Sequence, residues 1–171
     1  MQPLMLHRSC DLGPIRAVTA QVSPTPAGIV ARFRLEGRVD AIRLPSRAPS
    51  VRTDELWKST CLEVFWQPIG GAGYREINLS PSGQWAAYEF DGYRDGMRAM
   101  TVDAINLTPV IEQDALSLEA EIVADFPSPA QVGLNAVVEN GDGALQYWAL
   151  AFGPGKPDFH SEACRQLIVE R

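Results

Sequence analysis

Runs in which every second residue is apolar restrict the fold of this sequence more than any other feature. Ile29 to Leu35 and Leu116 to Ile122 alternate apolar and polar side chains, and Val18 to Val22 does so over a shorter stretch. Successive side chains of a strand point to opposite faces, so each run predicts a β-strand with one buried face. Runs rich in aromatic and β-branched residues also predict strands: Cys61 to Gln67, Tyr74 to Ser80, Gln84 to Phe90, Val132 to Glu139, Gln146 to Phe152 and Gln166 to Val169.

Glycine- and proline-rich segments, such as Gly70 to Gly73 and Asn140 to Gly143, separate these runs and are typical of turns. No segment repeats apolar residues at helical spacing over three turns, although Val51 to Lys58 predicts one helical turn capped by Thr53 or Asp54. Many short strands without intervening helices favour a sandwich or a barrel. We therefore expect an all-β fold, a two-sheet antiparallel β-sandwich of immunoglobulin-like or jelly-roll type, as a single domain over residues 1–171.

Composition and charge exclude several classes of partner. The net charge is −6, which disfavours binding to the phosphates of nucleic acid, and no apolar stretch is long enough to span a membrane. The cysteines Cys10, Cys61 and Cys164 are too far apart in sequence for a metal motif and are expected to be free thiols. The first ten residues lack the apolar run of a secretory signal, so we expect a cytoplasmic protein; a chain that had lost its signal would look the same. His7 is expected in a frayed terminus.

Aromatic residues alternate with charged and amide residues between Asp54 and Tyr93. On the strand from Cys61, Glu63 shares a face with Phe65, whereas Trp66 belongs to the other, core-facing side. On the next strand Arg75 lies on the apolar side and Asn78 on the polar side. An Arg75–Glu63 ion pair is the structural interpretation. The functional interpretation is sugar recognition, in which Trp57 covers an apolar sugar face and Glu63, Arg75 and Asn78 bind hydroxyl groups.

Two other chemistries find less support in the sequence. His160, in a proline- and glycine-rich loop, is a candidate axial haem ligand together with Met97 or Met100, but methionine as a core residue is the simpler interpretation. Glu63 and Glu76 form a candidate carboxylate pair of the glycosidase kind, although nothing in the sequence sets their separation. No nucleophile elbow, HExxH motif or phosphate-binding loop is present, so we do not expect an enzyme.

The segment from Trp57 to Phe65 resembles the Trp-x5-Glu-Val-Phe segment of family 9 carbohydrate-binding modules and of bacterial DOMON-like domains. Tyr74 to Gly83, Leu118 to Ile122, Val132 to Asn140 and the segment from Tyr147 to His160 resemble later parts of these domains. The resemblance runs from about Trp57 to the C-terminus. It implies a β-sandwich that binds its ligand against one sheet and the adjacent loops.

The resemblance also implies residue roles. Trp57 corresponds to a stacking tryptophan, Glu63 to the acid, Arg75 to the arginine and Asn135 to an amide position. Phe159 or His160 falls nearest to a second stacking tryptophan, which is not clearly present. Family 9 modules hold structural calcium and other DOMON domains bind haem, but no acidic cluster dense enough for calcium is found here.

We therefore expect a non-catalytic module that binds a sugar or sugar derivative through Trp57, Glu63, Arg75, Asn78, Asn135, Phe159 and His160. No metal or cofactor is expected, with structural calcium and haem as alternatives. A haem-binding domain for electron transfer is the second hypothesis. A protein-interaction domain without a small ligand is the third, and it would be favoured by a buried Trp57, a Glu63–Arg75 pair and the lack of an open cleft.

Overall fold

The computed structural model describes residues 1–170, and within them twelve β-strands pair into one antiparallel sheet. The strands are β1 (Gln2–Leu6), β2 (Ile15–Thr25), β3 (Gly28–Gly37), β4 (Cys61–Pro68), β5 (Tyr74–Leu79), β6 (Trp85–Phe90), β7 (Arg98–Ala99), β8 (Ala104–Ile111), β9 (Ala115–Val123), β10 (Ala130–Glu139), β11 (Leu145–Ala149) and β12 (Leu167–Val169). Helical structure in this part of the chain is confined to short 3-10 turns at Val39–Ala41, Leu56–Lys58 and Glu162–Cys164.

The strand order is β7-β6-β5-β4-β10-β11-β1-β2-β3-β9-β8, and β12 pairs with β10. The first strand, β1, pairs with β2 along one edge and with β11 along the other. Through β1 the sheet is therefore continuous, and it curls into a half-barrel. The expected all-β class is confirmed, whereas two separate sheets of a sandwich are not seen, because β1 belongs to both halves.

The N-terminal segment differs most from the expectation. His7 was predicted to lie in a frayed terminus, and this is wrong: the histidine is buried, and its backbone N–H donates to the carbonyl oxygen of Tyr147 at 2.8 Å. The neighbouring residues Met5 and Leu6 pair with Ala149 and Trp148. Pairing with strands on both sides orders a segment whose five residues are too few to show a clear alternation.

All of the runs predicted as strands form strands, although β11 ends at Ala149 rather than at Phe152. The strands β1, β7 and β8 were not predicted. In β8 the interior position Pro109 argues against a strand, but β8 lies at the sheet edge, where proline is tolerated. The predicted helical turn is a 3-10 turn at Leu56–Lys58, and no side chain caps it.

The main core lies inside the curled sheet. Alternate side chains of β2, β3 and β9 form one apolar cluster with alternate side chains of β4, β5 and β10. Its largest fully buried members include Trp66, Phe33 and Phe126. Trp66 is thus a core residue, as its position in the alternation predicts. The three cysteines are free thiols, as expected, and no helix within residues 1–170 is long and apolar enough to cross a membrane.

The opposite side of β4, β5, β6, β10 and β11 is called the outer face here. It carries a second apolar cluster of Phe65, Tyr74, Tyr88, Phe90, Val137 and Phe159, among others. The C-terminal segment covers part of this face, since Phe159 and Cys164 pack into the same cluster. A sheet with apolar side chains on both faces leaves room for a sheltered site between the outer face and its covering loops.

Candidate functional site

A cleft of about 780 Å³ opens over the outer face. The strands supply its floor, while the loop before β7, the 3-10 turn at Leu56–Lys58 and the segment at 157–160 supply its rim. Six aromatic rings line it: Trp57, Phe65, Tyr88, Phe90, Tyr147 and Phe159. Large apolar rings with a few polar groups among them are typical of small-molecule sites.

Two acidic side chains, Glu63 on β4 and Glu76 on β5, lie in the cleft floor and are only 2% and 6% exposed. Burial, and then the charge of Glu76, raise the pKa of Glu63 well above the ordinary value. Burial also raises the pKa of Glu76, but a hydrogen bond from Asn78 and the charge of Arg94 act in the opposite direction. Within residues 1–170, no side chain donates a hydrogen bond to Glu63, and no positive charge lowers its pKa.

Two asparagines flank Glu63 across the strands. In the register of the sheet, Asn78 on β5 and Asn135 on β10 lie directly opposite Glu63. The Asn78 Nδ2 group donates to Glu76 Oε1 at 2.8 Å, which leaves its Oδ1 atom without a partner. Both amide atoms of Asn135 also lack a partner among the described residues. Buried polar groups without partners are costly, so the row Asn135–Glu63–Asn78 is suited to bind a polar group that enters the cleft.

His160 closes one side of the cleft. Its Nδ1 atom lies 2.6 Å from the Tyr74 hydroxyl, and its Nε2 atom lies 3.6 Å from Glu76 Oε2. Burial, followed by the charge of Arg94, lowers the pKa of His160 to about 4. The imidazole is therefore neutral near pH 7 and contributes hydrogen-bonding capacity rather than charge.

An ion pair fastens two rim loops together. Asp158 accepts hydrogen bonds from the Arg94 Nη2 group at 2.8 Å and from the Tyr93 hydroxyl at 2.5 Å. The backbone N–H of His160 also donates to Asp158 at 3.1 Å. Although burial acts to raise it, the hydrogen bonds from Tyr93 and Arg94 hold the pKa of Asp158 below its ordinary value. Asp158 thus links the loop before β7 to the C-terminal loop that carries His160.

Trp57 lies at the cleft rim and is 49% exposed. Its 3-10 turn follows Glu55, whose backbone has a positive φ of 63°. Lys58 Nζ lies 5.5 Å from the Trp57 ring centroid and pairs with Glu55 at 2.5 Å. Below the rim, the Tyr88 hydroxyl donates to Asp54 at 2.6 Å. An indole half open to solvent beside a cleft presents its free face to a ligand.

Arg75 does not line the cleft, so its predicted role beside Glu63 requires a correction. The Arg75 side chain lies on the core side of β5 with Ile77 and forms ion pairs with Glu89 and Asp125. It also donates to the Asp125 backbone carbonyl. The predicted Arg75–Glu63 pair is absent from residues 1–170, because the two side chains lie on opposite faces of neighbouring strands.

The other predicted site residues lie together. Trp57, Glu63, Phe159 and His160 line the cleft. Asn78 and Asn135 lie opposite Glu63 on the two neighbouring strands, fully buried and just beyond the residues that line the cleft. Sequence reasoning missed Arg94 and Asp158, which lie in loops without a periodic pattern. It considered Glu76 only as half of a glycosidase-type carboxylate pair and did not include it among the expected binding residues, although Glu76 shares the polar face of β5 with Asn78.

The positions of the methionines and of the acidic side chains bear on the metal and haem alternatives. Met100 is buried in the main core, while Met97 and His160 both line the cleft. Within residues 1–170, no three His, Cys, Asp or Glu side chains are grouped to hold a metal ion. A second depression of about 700 Å³, lined by residues 37–40, Leu44 and 111–114, carries neither aromatic rings nor buried polar side chains among those residues.

Comparisons with known proteins give a shared fold. No family model and no curated protein sequence matches the chain. Among solved structures, the chain is similar to a protein described as a "putative carbohydrate-binding protein from Bacteroides uniformis ATCC 8492". The TM-score is 0.64 at 13% sequence identity, over 95% of this chain and 82% of that one. At this identity the likeness shows a common arrangement of strands and no more.

Proposed function

We propose that this protein binds a sugar or sugar derivative in the outer-face cleft without transforming it. The observation that carries the proposal is the row Asn135–Glu63–Asn78. Both amide atoms of Asn135 and the Oδ1 atom of Asn78 lack partners among the described residues, no described side chain donates to Glu63, and aromatic rings line the adjoining cleft. Sugars combine apolar C–H faces with hydroxyl groups that hydrogen-bond to carboxyl and amide groups. The fold shared with a protein described as carbohydrate-binding gives weak additional support.

The residue roles in this proposal follow from their positions. Trp57 at the rim stacks against one face of the sugar, and Phe159 supplies an apolar wall. Glu63, Asn78 and Asn135 bind polar groups from below, while neutral His160 offers a hydrogen bond from the side. The resemblance of the sequence to DOMON-like and family 9 carbohydrate-binding domains supports the roles of Trp57, Glu63 and Asn135. It also implied a role for Arg75, which lies away from the cleft.

The test is a binding screen followed by truncation of the rim tryptophan. Purified protein is titrated calorimetrically with neutral sugars, amino sugars and nucleotide sugars, and the best ligand is measured again with Trp57→Ala. We expect at least tenfold weaker binding, since a stacked aromatic contributes about 1 kcal/mol or more beyond its buried area. Ile69→Ala is the matched control, because Ile69 is 52% exposed and lies outside the cleft. Unchanged affinity in Trp57→Ala would refute this site.

Binding without turnover is part of the proposal. It is supported by the lack of nucleophile and phosphate-binding motifs in the sequence. Incubation with aryl glycosides and with the best ligand, followed by product analysis, tests this directly. Turnover that disappears in Glu63→Gln or Glu76→Gln would replace the binding module with an enzyme. A cytoplasmic location would favour a soluble sugar derivative as ligand, and fractionation of cells that express the protein tests it.

The alternatives fit the site less well. For haem, the only methionine at the cleft is Met97, and both imidazole nitrogens of His160 already face polar groups, Tyr74 and Glu76. A Soret band that appears on haem titration and is lost in His160→Ala would overturn the sugar proposal. The protein-interaction hypothesis would have been favoured by a buried Trp57, a Glu63–Arg75 pair and the lack of an open cleft, and none of these three features is found among the described residues.

A further inference from the structure

The charges that line the cleft do not cancel. Its described lining carries five acids, Asp54, Glu55, Glu63, Glu76 and Asp158, and two arginines, Arg94 and Arg98. Arg94 pairs with Asp158 of the lining itself, while Arg98 pairs with Glu89 and Asp91 outside it, and Glu55 pairs with Lys58. Among the described residues, three lining acids therefore have no ion pair with a lysine or arginine: Asp54, Glu63 and Glu76. His160 is neutral near pH 7. The cleft therefore presents unbalanced negative charge to whatever enters it.

The imbalance is greatest at Glu63. Of the two floor acids, Glu76 has Asn78 as a hydrogen-bond donor and feels the positive charge of Arg94. Glu63 has neither, although it is 2% exposed and lines the cleft. An isolated carboxyl group in such a place is unfavourable when ionised, and it is unfavourable to a lesser degree when protonated without an acceptor. The structure thus holds an acid that lacks only its counter-ion.

We infer that the ligand carries a protonated amine, which binds at Glu63 between Asn78 and Asn135. The inference rests on the proposed function, because it names the class of sugar derivative that the cleft accepts. The amine of an amino sugar, set among the ring hydroxyls, has this chemistry.

The geometry of the floor matches a primary ammonium group. An ammonium has three N–H donors and no acceptor. Glu63 offers carboxylate oxygens, and Asn78 Oδ1 is an acceptor without a partner, since its Nδ2 group is already bonded to Glu76. Asn135 adds a third acceptor when its amide oxygen faces the cleft. A neutral hydroxyl group supplies one donor and cannot satisfy all three.

The walls add to the attraction. Aromatic rings carry negative charge on their faces and attract cations placed over them, more strongly where water is excluded. Phe65 lies on the same face of β4 as Glu63, and Tyr147 lines the cleft on β11. A cation at Glu63 therefore meets aromatic surface as well as carboxylate. Entry of the cation also removes the cost of ionising Glu63, which a neutral ligand does not do.

The experiment compares ligands that differ in charge. Three amino sugars are titrated near pH 7: glucosamine, galactosamine and mannosamine. Glucose and N-acetylglucosamine are the neutral comparisons, because they keep the sugar ring without the charge. Cyclohexylamine is the opposite comparison, because it keeps the charge without the hydroxyl groups. We expect at least one amino sugar to bind about tenfold or more tightly than its neutral counterpart, because an ion pair replaces a neutral contact.

Substitutions at and away from Glu63 test whether this residue causes the preference for amino sugars. Glu63→Gln keeps the shape and removes the charge, so it should abolish the preference for the amino sugar over its neutral counterpart, measured as the ratio of the two affinities in the same variant. Glu121→Gln on the exposed side of β9 is the control for the loss of one negative charge. Thermal unfolding of each variant establishes that it is folded. If Glu63→Gln failed to fold, Asn135→Ala would be expected to reduce the same preference.

The outcomes separate this inference from the function on which it rests. Neutral sugars that bind as tightly as amino sugars would overturn the inference and leave the sugar-binding function in place. Binding of cyclohexylamine without any sugar would overturn sugar binding and support recognition of an amine. A preference for amino sugars that persists in Glu63→Gln would overturn the assignment to Glu63. No binding from any member of the panel would count against both proposals.

Discussion

His160 faces Glu76 across 3.6 Å, with the imidazole neutral and the carboxyl group buried. At this separation an ionised pair would attract strongly, yet burial disfavours both charges. Burial raises the pKa of Glu76 and lowers the pKa of His160, so both groups favour their neutral forms, with the proton on the carboxyl group rather than on the imidazole. This relationship makes the cleft sensitive to acid in a way that can be measured.

The titration of His160 is the first prediction. With a pKa of about 4 against an ordinary 6.5, His160 should stay neutral in histidine C–H NMR spectra until the pH falls towards 4. The unfolded chain takes up this proton near pH 6.5 and the folded chain only near pH 4, so His160 contributes a loss of stability as the pH falls through that window. His160→Asn assigns the resonance. A midpoint near 6.5 would contradict the buried placement.

Glu63→Gln should stabilise the protein at alkaline pH, which is the second prediction. Because burial raises the pKa of Glu63, the folded state binds this proton more tightly than the unfolded chain does. The resulting stability is present at low pH and is lost as the pH rises through the raised pKa. Glutamine does not ionise, so the variant avoids this loss.

The measurement is the unfolding temperature of wild type and Glu63→Gln between about pH 4.5 and pH 8.5, a range that begins near the ordinary pKa of a glutamate and extends well above it. The advantage of the variant should be greatest at the alkaline end and should shrink towards the acidic end. Glu121→Gln, at an exposed position on β9, should show no such trend. A variant less stable than wild type at alkaline pH would mean that Glu63 has a stabilising partner.

Arg75 should matter for stability and not for binding. Arg75→Met retains the apolar stem but removes the ion pairs with Glu89 and Asp125 and the hydrogen bond to the Asp125 carbonyl. We expect a loss of about 1–3 kcal/mol of unfolding free energy, as for other hydrogen bonds to charged groups, and unchanged ligand affinity. Arg16→Met, at an exposed position on β2, is the control for the loss of a positive charge. Weakened binding at unchanged stability would restore Arg75 to the site.

Asp158→Asn should loosen the cleft rim. The substitution weakens the bonds from Tyr93 and Arg94 that join the loop before β7 to the C-terminal loop. Hydrogen–deuterium exchange should rise in both loops while exchange in β4 and β10 stays the same, because these strands lie in the sheet interior. Ligand affinity should fall with it. Faster exchange in only one of the two loops would show that Asp158 does not link them.

The sequence predicted the strands better than the site because the two depend on different information. Alternation reports which side chains share a face, and it correctly separated Glu63 from Trp66 and Asn78 from Arg75. The same rule shows that Arg75 and Asn78 cannot both face Glu63, although the sugar-recognition interpretation had placed both in one site. Alternation alone would have excluded Arg75.

The alternation of apolar and polar residues does not predict cross-strand register or the placement of loops. That Asn78 and Asn135 lie opposite Glu63 depends on how β5 and β10 align with β4, which turn geometry and packing decide. Arg94 and Asp158 are distant in sequence and meet only because their loops converge over the outer face. The strand β1 was missed because its short run shows no clear alternation, although it joins the two halves of the sheet.

The position of β1 has a consequence for synthesis of the protein. Met5 of β1 pairs with Ala149 of β11, so the ribosome must translate the chain through β11 before the two halves of the sheet can join. Until then the edge of β1 that pairs with β11 is open, although β2 can already pair with the other edge. Open strand edges favour association with other chains. Nascent chains of this protein therefore keep an open strand edge for most of their translation. A chaperone that protects strand edges would increase the yield of folded protein more than one that accelerates local folding.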